Sequence, residues 1–347
     1  MAPAKIETNT LVLSQAYVAG SARPIDYIRA IEAAFRALAE GDMESLPVGH
    51  VPGQGGAFHI KAAVSKAGRR WAAIKINGNF PDNPGERGLP TIQGCIVLTD
   101  GQDGRLLALM DSIEITAQRT AAASAVAARH LARRDAATIA FIGCGAQARY
   151  HLDALLALDE FPIRAAHCFD LDRARAEQLG SLATAHGLAA SIATSPGEAC
   201  GDADIVITCT PAKAPVIGAA DIKPGTFIAA VGADNPAKCE IAPGLMAIAR
   251  VVPDITAQAA TMGDLRTAIQ AGSMHLTDVH AELAQVVAST RPGRTRDGDI
   301  IVFDSTGTAI EDLAAAAMIY ERACADPAAL RIGLNVAPPW VAAATHA

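Results

Sequence analysis

One junction constrains this chain more than any other: a strand that runs straight into a glycine turn. Thr138-Ile-Ala-Phe-Ile142 is a short apolar run. Gly143-Cys-Gly-Ala-Gln-Ala148 follows at once, and a helical stretch continues to Leu158. Gly143-x-Gly145-x-x-Ala148 between a strand and a helix is the context in which a dinucleotide is held. The first glycine permits the tight turn, the second lets backbone approach a pyrophosphate, and Ala148 allows close helix–strand packing. An anion there meets the free N–H groups of the helix N-terminus. Asp170 ends the next strand, 22 residues beyond Ala148, where an acidic side chain bonds ribose hydroxyls and repels a 2′-phosphate. NAD is therefore favoured. NADP stays open, because Arg173 and Arg175 are placed to accept a phosphate.

The pattern around this turn predicts a parallel, doubly wound α/β sheet of the Rossmann type. Strands are expected at 165–169, 191–193, 205–209, 227–231, 251–252 and 299–303, with helices at 172–186 and 196–200 between them. The N-terminal part reads differently. Ile28, Ile31, Phe35 and Leu38 share one face of a helix over 24–41. Strands at 57–64, 71–76 and 91–98 separated by turn formers suggest a smaller α+β domain with an antiparallel sheet. Ala-rich helices are expected at 111–134 and 311–324. A length of 347 residues fits two domains. The division expected is 1–125 with 312–347 as a substrate-binding and dimerisation domain, and 126–311 as the NAD(P) domain. The tail from Pro338 to Ala347 is expected to fray.

Composition removes several function classes. The formal net charge of −7 counts against a nucleic-acid partner. No uncharged apolar run is long enough for a membrane span, and Met1 to Thr10 lacks a secretory pattern, so a cytoplasmic protein is expected. The seven cysteines include no C-x-x-C and the nine histidines no H-E-x-x-H. Reduced thiols and no metal are the expectation.

Three charged residues outside the turn stand where chemistry needs them. Lys75 interrupts the apolar run Trp71-Ala-Ala-Ile-Lys-Ile76, either as a buried ligand group or as an outward lysine on an edge strand. Arg119 lies among small residues in Ile115-Thr-Ala-Gln-Arg-Thr-Ala-Ala-Ala-Ser-Ala125, where its fork has room to grip a carboxylate or phosphate, or where it simply faces water. Asp234 follows the strand Ile228-Ala-Ala-Val-Gly-Ala233. It stands either at the ligand-binding end of a parallel sheet or as a turn former before Asn-Pro.

Seven ordered motifs extend the reading: Lys75-Ile-Asn-Gly-Asn, Gly88-Leu-Pro-Thr-Ile-Gln-Gly94, Ala108-Leu-Met-Asp-Ser112, the Arg119 segment, Gly143-Cys-Gly-Ala-Gln147, Val231-Gly-Ala-Asp234 with Pro236 and Lys238, and Phe303-Asp-Ser-Thr-Gly307. With these the chain resembles the ornithine cyclodeaminase/mu-crystallin family from about Ala57 to Ala315. The resemblance implies that Lys75 holds the substrate carboxylate beside the reacting carbon, that Arg119 binds carboxylate near the cofactor and that Asp234 is the general acid/base. It implies nucleotide contacts at Thr91, Ala146, Gln147, Asp170, Thr210, Lys238 and Ser305, a place near the substrate for Thr306, and a homodimer paired through the N-terminal sheets.

Two departures bear on the substrate. Ornithine-cyclising members carry a Pro-Arg where this chain has Leu46-Pro-Val-Gly-His50, and a glutamate on the strand that here reads Phe58-His-Ile-Lys-Ala-Ala63. An inward Lys61 would repel the ornithine ammonium. The expectation is NAD(P)H-dependent reduction of a small 2-imino acid, with cyclic ketimines such as pyrroline-2-carboxylate or piperideine-2-carboxylate in view. Ornithine cyclodeamination, alanine-dehydrogenase-like amination of a 2-keto acid and a non-catalytic binding role are the alternatives.

Overall fold

The computed structural model describes residues 9–334. The expectation for Pro338–Ala347, and that for Met1 to Thr8, fall outside the described residues. The chain divides into two compact units. One comprises 1–22, 41–116 and 312–347, the other 23–40 and 117–311.

The first unit is built on strands β1 (Thr10–Leu13), β2 (Met43–Ser45), β3 (Gly49–Gly53), β4 (Gly56–Ser65), β5 (Trp71–Asn79), β6 (Ile92–Asp100) and β7 (Leu106–Asp111). β4 to β7 form an antiparallel meander. The sheet is mixed rather than purely antiparallel, because β1 joins β7 in parallel and a last strand, Leu330–Ile332, closes the edge against β1. Alternation decides what each face does. Trp71, Ala73, Lys75 and Asn77 of β5 point inward and are buried, as are Ile96 and Leu98 of β6. Ile74 and Ile76 point the other way and stay 43% and 39% exposed, beside exposed Phe58, Val64 and Leu109. The inner face is covered by the unit's portion of the helix Ala309–Ala325. There the Tyr320 ring meets Trp71 edge to face at 5.5 Å, and Arg69 lies 4.1 Å over the Trp71 ring.

The second unit holds β8 (Thr138–Ile142), β9 (Ala165–Phe169), β10 (Ala189–Ile192), β11 (Ile205–Thr208), β12 (Phe227–Ala230), β13 (Arg250–Pro253) and β14 (Ile301–Asp304). All pair in parallel, in the order β10-β9-β8-β11-β12-β14-β13. This is the expected doubly wound sheet. The strands read as continuous apolar runs because both faces are covered: Val206, Ile228 and Val302 are fully buried. Each such aliphatic side chain contributes about 1.5–3 kcal/mol on burial. The helix Ile113–Leu131 packs through buried alanines at 121, 122, 123, 125, 127 and 128, whose small side chains let backbones approach.

The helix Pro24–Ala39 falls in the second unit, although the sequence placed it in a domain over 1–125. Its stripe of Ile28, Ile31 and Phe35 is buried there, and Glu32 pairs with Arg129 at 2.5 Å and with His130 at 2.7 Å.

Candidate active site

The order of strands in the second unit reverses between β8 and β11, and ligands of such sheets bind beyond the carboxyl ends of the strands at that point. Gly143, Asp170 and Thr210 follow the carboxyl ends of β8, β9 and β11. Gly143 leaves β8 with φ +88°, and a Cβ on it would lie 2.9 Å from the Cys209 carbonyl oxygen, so only glycine makes this turn. Gly145 has nothing within 4 Å of where a Cβ would be, and it starts the helix Ala146–Ala157 without a side-chain cap. Asp170 follows β9. Its carboxylate accepts from Cys144 N at 2.7 Å and Asp172 N at 2.8 Å, which ties the glycine turn to the second strand and leaves lone pairs for hydroxyls. Gln147 Oε1 and Ser305 Oγ are buried without a hydrogen-bond partner. An uncapped helix end, an open glycine and two orphaned polar atoms fit a bound dinucleotide, since buried polar atoms of native proteins nearly always find a partner.

Asp234 and Lys238 lie on the loop after β12. They pair with each other at 2.8 Å, and Asp234 is more than half exposed. Thr306, after β14, is buried. Its hydroxyl donates to Asp254 at 2.9 Å and accepts from Gln258 at 2.8 Å. Arg119 is 4% exposed rather than a surface residue. It meets Glu311 at 2.8 Å and lies so close to Gly307 that a Cβ there would stand 2.7 Å from its Nη1.

In the first unit, Lys75 faces inward and is 3% exposed. Its Nζ lies 2.8 Å from Oδ1 and 2.7 Å from Oδ2 of Asp312, and 3.4 Å from the Thr116 hydroxyl. Thr91 stands just before β6, half-buried, and its carbonyl accepts from Phe80 N. Lys61 is the direct cross-strand partner of Lys75, and His59 that of both Asn77 and His50. All of them therefore share the Lys75 face.

Sequence reasoning missed the acids that hold these parts. Glu240 accepts from the Thr208 hydroxyl, Thr210 N and Gly232 N. Asp264 accepts from Glu240 N and Ile241 N. Asp304 accepts from Asp264 N and Leu265 N. Asp254 accepts from Thr306 N and Gly307 N. The loops that carry Thr210, Asp234, Ser305 and Thr306 thus hang on buried carboxylates rather than on further sheet. The one signal was an acid directly following or flanking an apolar run, as in Val-Val-Pro-Asp254 and Val-Phe-Asp304.

Burial pushes the Glu240 carboxyl up to about 7, with the neighbouring Asp264 adding to it against the pull of the Thr210 amide. Burial, with Glu311 second, raises Asp254 to about 6. In the unfolded chain both groups titrate near the ordinary carboxyl value of about 4. The folded chain therefore keeps protons that the unfolded chain has lost, and this contribution to stability fades as pH rises towards about 7. The melting temperature is expected to fall between about pH 5 and pH 8 by calorimetry. Glu240→Gln, which does not titrate, is expected to flatten that fall. An unchanged slope in the variant would remove Glu240 from the account.

A family model for the ornithine cyclodeaminase/mu-crystallin family matches residues 8–326. The chain belongs to this family. Among its relatives in the family is an iminosuccinate reductase of Paracoccus denitrificans, 32% identical over 323 residues, covering 90% of this chain and 96% of that one. Among solved structures, an archaeal alanine dehydrogenase dimer with bound NAD superposes with a TM-score of 0.89 at 33% identity, over 93% of this chain and 99% of the other. The Delta(1)-pyrroline-2-carboxylate reductase of Thermococcus litoralis, in complex with NADH and L-proline, gives 0.85 at 29% identity, over 91% and 98%. Among the described residues, no helix of this family member is long and apolar enough to cross a membrane, and no group of three or more His, Cys, Asp or Glu is placed to hold a metal ion.

Proposed function

We propose that this protein is an NAD(P)H-dependent reductase of a small 2-imino acid that yields an L-amino acid. The observation that carries the reading is the uncapped, open glycine turn with orphaned Gln147 Oε1 on its helix, together with an orphaned Ser305 Oγ after β14, in a chain that keeps a buried lysine and a buried arginine, each bonded to a carboxylate. Bound there, NADH would supply a hydride for the imine carbon C2. Gly143, Gly145, Ala146, Gln147, Asp170, Thr210, Lys238, Ser305 and Thr91 hold the cofactor. Lys75 and Arg119 take the substrate carboxylate, and Thr306 fixes the loop beside it. Asp234, open to solvent and held by Lys238, passes the proton that keeps the imine nitrogen charged, and a protonated imine accepts hydride far better than a neutral one.

The candidate substrates are cyclic ketimines, pyrroline-2-carboxylate and piperideine-2-carboxylate, and the acyclic imines that 2-keto acids form with ammonia. Ornithine is disfavoured because Lys61 shares the Lys75 face, where a second ammonium meets like charge. A screen of NADH and NADPH oxidation against these imines tests the reading. Turnover of at least one is expected, with NADH preferred because of Asp170. Release of ammonia and proline from ornithine without net NADH change would replace it with cyclodeamination.

The outward face of the first unit's sheet, with Ile74 and Ile76 exposed, is an apolar patch of the kind that marks an interface. It supports a homodimer formed through this face. Sedimentation is expected to give twice the chain mass, and Ile76→Asp to shift it towards one. A wild-type monomer at micromolar concentration would end the proposal.

A further inference from the structure

Glu240 is fully buried, and the reduction described above gives it no part. Its main chain is fixed from two sides. The Glu240 carbonyl accepts from Val216 N at 2.7 Å, and Asp264 holds the amides of Glu240 and Ile241 at 2.7 and 3.0 Å. The carboxylate aimed in this way ends on two loops of the parallel sheet. Oε1 accepts from Thr210 N at 2.6 Å, just past β11. Oε2 accepts from Gly232 N at 2.6 Å, just past β12, and from the Thr208 hydroxyl at 2.7 Å. The bond to Gly232 closes the segment 232–240 on itself, and that segment carries both Asp234 and Lys238. Gly232 passes the restraint on, because its carbonyl accepts from Asp234 N at 3.0 Å. The fit is tight: a Cβ at Gly232 would lie 2.5 Å from the Glu240 carboxyl carbon and closer still to the Thr210 carbonyl oxygen. Asp234 therefore has two tethers. Lys238 holds its carboxylate, and Glu240 holds its backbone through Gly232.

We propose that Glu240 is a positioning residue for Asp234: as a carboxylate it clasps the Asp234 loop to the Thr210 loop, and when it takes a proton the clasp slackens and proton delivery slows. This rests on the reductase reading above. A carboxylate accepts from all three donors, whereas a carboxylic acid turns one oxygen into a donor. The Thr208 hydroxyl can rotate to accept from it, but a backbone N–H cannot. The amide on the protonated oxygen meets a poorer acceptor, and a charge-assisted bond is lost. The Thr210 amide and the Thr208 hydroxyl pull the carboxyl down against its burial. By reciprocity, the proton weakens those bonds as much as they oppose the proton. Burial, with Asp264 second, holds the carboxyl at about 7. The other groups on this side are Arg266 and Asp304, which act on Asp264, and the Cys209 thiol, which burial and then Glu240 push up so that it stays protonated. Slackening moves the loop and not Glu240, whose main chain is held by Asp264 and Val216. Global unfolding hydrates Glu240 and has the opposite sign, so turnover rises with pH where the melting temperature falls.

The test is the pH profile of kcat at saturating NADH in the wild type, Glu240→Gln and Thr208→Val, with whichever imine is reduced and at constant free ammonia for the acyclic ones. An iminium and a proton-donating Asp234 both lose their protons as pH rises, so they only lower turnover. A limb that ascends through about pH 7 is left to Glu240. The wild type is expected to show it, worth about tenfold between about pH 6 and pH 8. Glu240→Gln is expected to lose the limb and about tenfold or more in kcat on its alkaline side, the range for a lost bond to a charged group. Thr208→Val removes one pull on the carboxyl and is expected to move the limb up by about one pH unit or more. No ascending limb in the wild type, a limb that survives in Glu240→Gln, or one that Thr208→Val leaves in place overturns the proposal while the reductase reading stands. If Glu240→Gln does not fold, Thr208→Val decides alone. If no imine is reduced, the reductase reading fails, and the amide NMR resonances of Thr210, Gly232 and Asp234 decide the clasp. Resonances that move together through a midpoint near pH 7, which Thr208→Val raises, uphold it. Resonances that stay still over that range overturn it.

Discussion

Asp234→Asn is expected to lower turnover about 10²- to 10⁴-fold, the usual contribution of a positioned acid or base, while NADH affinity by fluorescence titration changes little. Asparagine keeps the oxygen that accepts from Lys238 at 2.8 Å, so the loop after β12 loses its proton carrier and not its anchor. The side chain is more than half exposed, so its replacement leaves no buried group unpaired and the melting temperature is expected to hold within a degree or two. That separation makes the variant informative. Turnover within about threefold of wild type would mean that the proton reaches the imine from elsewhere. A large loss of NADH binding would mean that Asp234 serves the cofactor loop.

Asp312→Ala carries the largest expected effect on stability. Lys75 and Asp312 are 3% and 2% exposed, and deleting one member of a buried pair costs about 3–5 kcal/mol because the other charge is stranded out of water. For a protein of this size that corresponds to a drop of roughly 10 °C. Turnover should fall as well, since Lys75 loses the bond that fixes its ammonium. Replacing both residues, Lys75→Met with Asp312→Leu, is expected to recover most of the stability and none of the activity. A melting temperature within about a degree of wild type in the single variant would show that the pair holds nothing.

The parallel unit was legible because each of its strands is a short apolar run closed by a turn or a helix start. Thr138–Ile142 and Ala165–Phe169 appear in the structure at the residues the sequence assigned. The first unit was harder. β1 and the strand Leu330–Ile332 have four and three residues, too few for alternation to show, and β2 and β3 have no buried residue. The paired helices Thr256–Met262 and Asp264–Gln270 were hidden because Gly263 separates them after barely two turns each. Lys75, Arg119 and Asp234 stood out from their neighbours, but the carboxylates that meet Lys75 and Arg119, and the buried acids that hold the loops, did not. Glu240, Asp254 and Asp304 take most of their bonds from backbone amides, and an amide donor leaves no mark on the sequence. Glu311 and Asp312 read as the ordinary acidic start of a helix.

Those two adjacent acids, one on Arg119 and one on Lys75, impose an order on the making of the protein. The ribosome delivers the lysine and the arginine early, and their counter-ions 237 and 192 residues later. Until the segment beginning at Ala309 emerges, neither cation has the carboxylate it meets in the folded protein. Neither unit can finish its interior on the ribosome ahead of that final helix. A chain cut short before it would lack the two carboxylates that Arg119 and Lys75 meet in the folded protein.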